Sequence, residues 1–66
     1  MPLVKKGSKG EAVKKLQQIL NSKGYKLSVD GNFGPATEAA VKAYQKANHL
    51  EVDGEVGEKT WASLMK

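Results

Sequence analysis

Carboxylates have the best claim to chemistry in this sequence, and two of them, Asp30 and Asp53, stand in surroundings that repeat. A carboxylate pair does acid–base work when it flanks a cleft and its two environments push the pKa values apart. Here each Asp precedes a glycine, in Val29-Asp30-Gly31 and Val52-Asp53-Gly54. Asp-Gly is a turn signal, because Asp bonds its own backbone and Gly tolerates positive φ. Two turn aspartates in a chain of 66 residues have no deep cleft in which a pKa could rise.

Other chemistries fare no better. His49 is the one histidine, and a metal site needs several donors. No Ser-His-acid set can be assembled around it. Cysteine is absent, which excludes disulfides, thiolate nucleophiles and cysteine-ligated zinc. Gly7-Ser8-Lys9-Gly10 lacks the wider glycine spacing and the Lys-Ser/Thr pair of a phosphate-binding loop. Asp30-Gly31-Asn32-Phe33-Gly34 opens like a calcium loop, but Pro35 and Val41 stand where Gly and Glu are required. The sequence therefore predicts no catalytic residue, no metal ligand and no cofactor.

The aspartates belong to a longer repeat. Val29-Asp30-Gly31-Asn32-Phe33-Gly34-Pro35-Ala36-Thr37 returns as Val52-Asp53-Gly54-Glu55-Val56-Gly57-Glu58-Lys59-Thr60, offset by 23 positions throughout. Each copy reads as a turn, one buried apolar residue, a glycine, and a helix with Thr in its first turn. Pro35 just inside the first of these helices suits its start. Asp30 and Asp53 are read as turn and cap acceptors, and Thr37 and Thr60 as bonding local backbone. Phe33 and Val56 are read as core plugs.

The elements that position these repeats follow in chain order. Leu3 and Val4 form a short extended arm. Ser8-Lys9-Gly10-Glu11 fits a capping box and predicts a helix from Ser8. Ala12, Val13, Leu16, Ile19 and Leu20 recur at helical spacing, with Lys14, Lys15, Gln17 and Gln18 read as the polar positions between them. Lys23 suits the negative end of that helix, and Gly24 its left-handed stop. Tyr25 to Val29 alternates and should run extended into the first repeat. A second helix is predicted from Pro35 to about Asn48, with Ala40, Val41, Tyr44 and Ala47 inward and Asn48 as the left-handed stop. His49 to Val52 forms a second extended link. A short last helix runs from Glu58, with Trp61 and Leu64 inward. The fold class is all-α: a small orthogonal three-helix bundle with two repeated turn-helix units, in a single domain over residues 1–66. Val29 and Val52 count among the apolar side chains available to its core.

Net charge is +4, unevenly placed. Residues 1–29 hold seven Lys and one Glu, and residues 30–66 hold four Lys and six acids. A polyanion is a conceivable partner, so a small basic nucleic-acid-binding helical domain is the alternative reading. The absence of Arg counts against it, since bidentate contacts to phosphate or guanine favour Arg. The acidic second half counts against it too. No apolar run approaches the length of a membrane span, and no membrane partner is expected. No signal peptide is recognisable, so an export signal, if used, is expected outside these residues.

From Leu3 to Leu64 the chain resembles the peptidoglycan-binding domain of cell-wall hydrolases, the small three-helix type attached to amidases, peptidases and lytic enzymes. The resemblance rests on Lys6-Gly7-Ser8-Lys9-Gly10-Glu11-Ala12-Val13-Lys14-Lys15-Leu16-Gln17, on Gly24-Tyr25, on Val29 to Val41, and on Val52 to Trp61. It implies non-catalytic binding of bacterial cell-wall peptidoglycan, through glycan or stem peptide, on behalf of a linked or partner hydrolase. It also implies a location outside the cell, at the wall. A structural or prodomain-like segment that docks on its own enzyme is a third reading.

The repeat loops are the expected contact surface. Each delivers a helix N-terminus with glycine at the cap, and such ends attract carboxylates. Asp30, Asn32, Phe33, Gly34, Asp53 and Gly57 lie at the centre of this surface. Tyr25, Tyr44 and Trp61 are divided between core packing and service as flanking platforms, since aromatic rings suit both.

Overall fold

The computed structural model describes residues 2–66, which contain α1 (Glu11–Ser22), α2 (Pro35–Ala47) and α3 (Glu58–Leu64). No regular strand occurs among the described residues. Val13, Leu16 and Leu20 from α1, Val41 and Tyr44 from α2, and Trp61 and Leu64 from α3 meet in one core, plugged by Phe33 and Val56 from the repeat loops. Both loop residues are buried, as their place in the repeat predicts.

The repeat loops are held by the N-terminal arm. Val4 pairs with Val56 in an antiparallel bridge, Val4 N donating to Val56 O (3.2 Å) and Val56 N to Val4 O (2.8 Å). Lys9 pairs with Asn32 in a second bridge, supported by Gly10 N to Gly31 O (3.0 Å) and Phe33 N to Ser8 O (2.9 Å). The Trp61 indole N–H reaches Pro2 O at 2.7 Å and ties down the start of the same arm. Val4 is thereby a core residue, which its position in a short arm did not suggest.

These bridges correct the expected start of α1. The helix begins at Glu11, behind a Gly10 with φ of 119° and no side-chain cap, not at Ser8. Residues 7–10 stay outside the helix because they pair with the first repeat loop, Gly7 N also donating to Phe33 O at 2.9 Å. Ser8 Oγ accepts from Lys5 N (3.0 Å) and closes a local turn, so the capping box does not form.

Helices α1 and α2 end alike. Tyr25 N donates to Leu20 O and Gly24 N to Asn21 O, each at 3.0 Å; Leu50 N donates to Gln45 O (2.8 Å) and His49 N to Lys46 O (3.3 Å). Both are Schellman closures, which require a left-handed residue between the last turn and an apolar one. Gly24 fills that place with φ of 99°, as predicted. In α2 it falls to His49 (φ 57°), not Asn48, because docking Leu50 against the core sets the count of residues. Val29 and Val52 also depart from expectation: they remain 40% and 49% exposed, each next to an aspartate that is itself at the surface.

Leu16 is fully enclosed at the centre of this core. Leu16→Ala should lower the unfolding free energy by about 2–5 kcal/mol, the usual cost of such a cavity, measured by urea denaturation.

Candidate functional site

Two buried glutamines, 1% exposed each, build the repeat loops. The Gln17 amide nitrogen donates to Asp30 Oδ1 (3.1 Å), Asn32 O (3.0 Å) and Thr37 Oγ1 (3.2 Å), sharing its protons among three acceptors. Its Oε1 accepts from Gly31 N at 3.0 Å. Gln45 repeats the pattern in the second loop, donating to Asp53 Oδ1 (2.9 Å), Glu55 O (2.9 Å) and Thr60 Oγ1 (3.2 Å) and accepting from Gly54 N (3.0 Å). No buried side-chain polar atom among the described residues lacks a partner. The rule that buried polar groups are bonded is met by folding each loop around one amide.

The aspartates close this arrangement as turn acceptors. Asp30 Oδ1 also accepts from Asn32 N, and Asp53 Oδ1 from Glu55 N, both at 2.9 Å. The expected capping role is corrected: Gly34 and Gly57 precede their helices with no side-chain cap. Thr37 and Thr60 are corrected too, since their hydroxyls serve the glutamines. Asp30 is held below the ordinary aspartate value of 3.8, chiefly by the Asn32 amide and then by Gln17. Asp53 is lowered likewise by the Glu55 amide and Gln45. Depressed values keep both groups ionised and suit recognition, whereas a general acid needs a raised one.

A cleft of about 260 Å³ opens beside the first loop, lined by Gln17, Leu27, Ser28, Asp30, Asn32 and the start of α2 from Gly34 to Thr37. Of the residues expected at the site, it gathers Asp30, Asn32 and Gly34. Asp53 and Gly57 lie in the second loop, apart from it. Phe33 and Trp61 are 2% exposed each, which favours the core reading of both over a place on the contact surface. Tyr44 is also buried, its hydroxyl 2.6 Å from Ser63 Oγ and its ring under the Lys23 ammonium at 5.8 Å. Tyr25 is half-buried and packs edge-on against Tyr44, with centroids 6.4 Å apart. No aromatic ring lines the cleft.

Gln17 and Gln45 are the residues that sequence reading missed. Gln17 stands four positions after Val13 and three before Leu20, and Gln45 four after Val41, so both lie on the apolar stripe. Polar type outweighed position.

Residues 9–64 match the sequence model of a family described as "Putative peptidoglycan binding domain", and the chain belongs to that family. It is 46% identical over 65 residues to an uncharacterised protein of Kitasatospora aureofaciens, covering 96% of this chain and 55% of that protein. It is 44% identical over 63 residues to the zinc D-Ala-D-Ala carboxypeptidase of Streptomyces albus G, covering 88% of this chain and 24% of the enzyme. The chain thus spans about half and about a quarter of these two relatives. Among solved structures, the SleB N-terminal domain superposes with a TM-score of 0.94 at 38% identity, over 97% of this chain and 89% of that one.

The lowered aspartates set an acid limit. A group whose folded pKa lies below its unfolded value contributes stability above the unfolded value and loses it as pH falls through the folded one. Unfolding free energy should therefore be level from neutrality to about pH 4 on account of these groups and fall below it. Asp30→Asn combined with Asp53→Asn should flatten that fall in urea titrations across pH.

Proposed function

We propose that this chain is a non-catalytic module that holds bacterial cell-wall peptidoglycan at the first repeat loop, and that it works at the wall beside a linked hydrolase. Family membership supports the polymer. Relatives with the names of cell-wall and spore-cortex enzymes, several times longer than the shared segment, support the linkage.

The cleft beside Asp30 is the observation that carries the location. Its lining mixes the Asp30 carboxylate and the polar Ser28 and Asn32 with the apolar Leu27, Pro35 and Ala36, and offers no aromatic face for a sugar to stack on. That chemistry favours the stem peptide over the glycan. Pro35 offers no N–H, but Ala36 and Thr37 follow it at the uncapped, positive end of α2, which offsets the ionised Asp30 in the same cleft and suits a peptide carbonyl oxygen. The second loop has Glu55 and Glu58 where the first has Asn32 and Pro35. Lys59 stands where the first has Ala36, so the second loop gains one net negative charge, which disfavours the same ligand.

Insoluble sacculi should retain the purified chain while double-stranded DNA, as a parallel bait, does not. No soluble muropeptide should be released; steady release would make the chain an enzyme and end this reading. Asn32 is exposed, so Asn32→Ala should leave stability within about 0.5 kcal/mol. It should weaken sacculus binding roughly fivefold, the equivalent of one hydrogen bond. Glu55→Gln at the matching position of the second loop should bind like the parent. Equal binding by all three proteins would move the site elsewhere.

A further inference from the structure

Asp-Gly is among the less durable pairs in a polypeptide, second to Asn-Gly in forming a succinimide. The glycine nitrogen, unshielded by a side chain, attacks the aspartate Cγ. A C–N bond forms, the amide proton is lost, and the protonated carboxyl gives up one oxygen as water, leaving a five-membered succinimide. Water then opens either carbonyl. One product is the original aspartate; the other is isoaspartate, whose backbone runs through the side chain with one extra methylene. Nothing is oxidised or reduced, and water is the only co-reactant.

This chain carries two such pairs on exposed aspartates, in the loops on which its fold depends. Both reacting groups are engaged elsewhere. The attacking nitrogens, Gly31 N and Gly54 N, donate to Gln17 Oε1 and Gln45 Oε1 at 3.0 Å each. The carboxyls are held by two donors apiece, the glutamine amide and the backbone N–H two residues on. Both glycines are buried: the Lys14 stem covers Gly31, and Lys42 and Glu38 cover Gly54. We propose that Asp30-Gly31 and Asp53-Gly54 are latent isoaspartate sites, and that Gln17 and Gln45 each keep one of them silent by pinning the nucleophile and the carboxyl in separate hydrogen bonds. The ionised state favoured at both aspartates acts in the same direction, because the leaving oxygen must depart as water. Each site then reacts only when its own clamp opens, independently of the other.

The duplicated design supplies an internal control, since global unfolding would expose both pairs and a lost clamp only one. Folded parent, Gln17→Met and Gln45→Met are incubated in mildly acidic buffer below their unfolding transitions, beside parent unfolded in urea. Cleavage after lysine places the two pairs on separate peptides, Leu27–Lys42 and Ala47–Lys59, whose isoaspartyl forms separate chromatographically without a mass change. Folded parent should be nearly inert at both positions, and the urea sample reactive at both. Gln17→Met should speed isomerisation at Asp30 roughly tenfold over Asp53 in the same molecule, with Gln45→Met giving the mirror result, as expected when local opening loses its restraining bonds. Should either variant fail to fold, Gln17→Asn and Gln45→Asn keep the amide but shorten its reach to the glycine N–H and the aspartate, and a smaller rise at the matching site is expected. Parallel change at both pairs in a folded variant, no change at either, or a folded parent as reactive as the urea sample would overturn the proposal.

Discussion

A primary amide buried in an apolar core is the constraint around which this domain is built. Leaving its donors or acceptor unpaired would cost about 1–3 kcal/mol per group, a large share of the stability available to so short a chain. Gln17 and Gln45 escape that cost by drawing a loop around themselves, each bonding one aspartate, one threonine and two backbone groups. The demand is mutual. The loops contain no ladder of their own, and their buried glycine N–H groups are satisfied only by the glutamine oxygens. Segments without regular secondary structure are thereby tied to the helices by side-chain hydrogen bonds.

The N-terminal arm holds the same loops through its backbone. Val4 and Lys9 contribute single bridges to the second and first loops, respectively. One strand-like segment thus ties both repeats without forming a sheet, and Phe33 and Val56 project from the tied loops into the core. Electrostatics adds little: Lys14–Glu11, at 3.9 Å, is an exposed ion pair of the kind that contributes marginally. Burial, two Schellman closures and the glutamine bonds hold the fold.

Duplication of the scaffold leaves the two loops free to differ where they face solvent. The shared positions, Asp, Gly, the apolar plug and Thr, are those that the glutamine and the core demand. The solvent-facing positions that vary, Asn32 against Glu55, Pro35 against Glu58 and Ala36 against Lys59, border the cleft in the first loop and carry two acids and one Lys in the second. On the proposed reading, separating scaffold from contact positions in this way would let one loop bind while its twin only supports.

The sequence by itself determined the three helices, the repeated turn-helix units, the core roles of Phe33 and Val56, and the family, because each rests on local signals: helical periodicity, Asp-Gly turns, and glycine before a helix. It also determined that Asp30, Asn32 and Gly34 would share a neighbourhood, since they are neighbours in the chain. Tertiary structure alone decided what crosses between segments. Ser8 has a capping-box pattern, yet pairing of residues 7–10 with the first loop takes precedence and delays α1 to Glu11. Asn48 is the better left-handed residue by type, yet docking of Leu50 assigns that conformation to His49. Trp61 is chemically suited to stacking on a ligand or packing in a core, and only the closed core with Pro2 on its indole N–H shows which. Gln17 and Gln45 are the plainest case: their partners lie 8 to 20 residues away. A polar side chain on an apolar stripe becomes intelligible only when a loop is seen to fold over it.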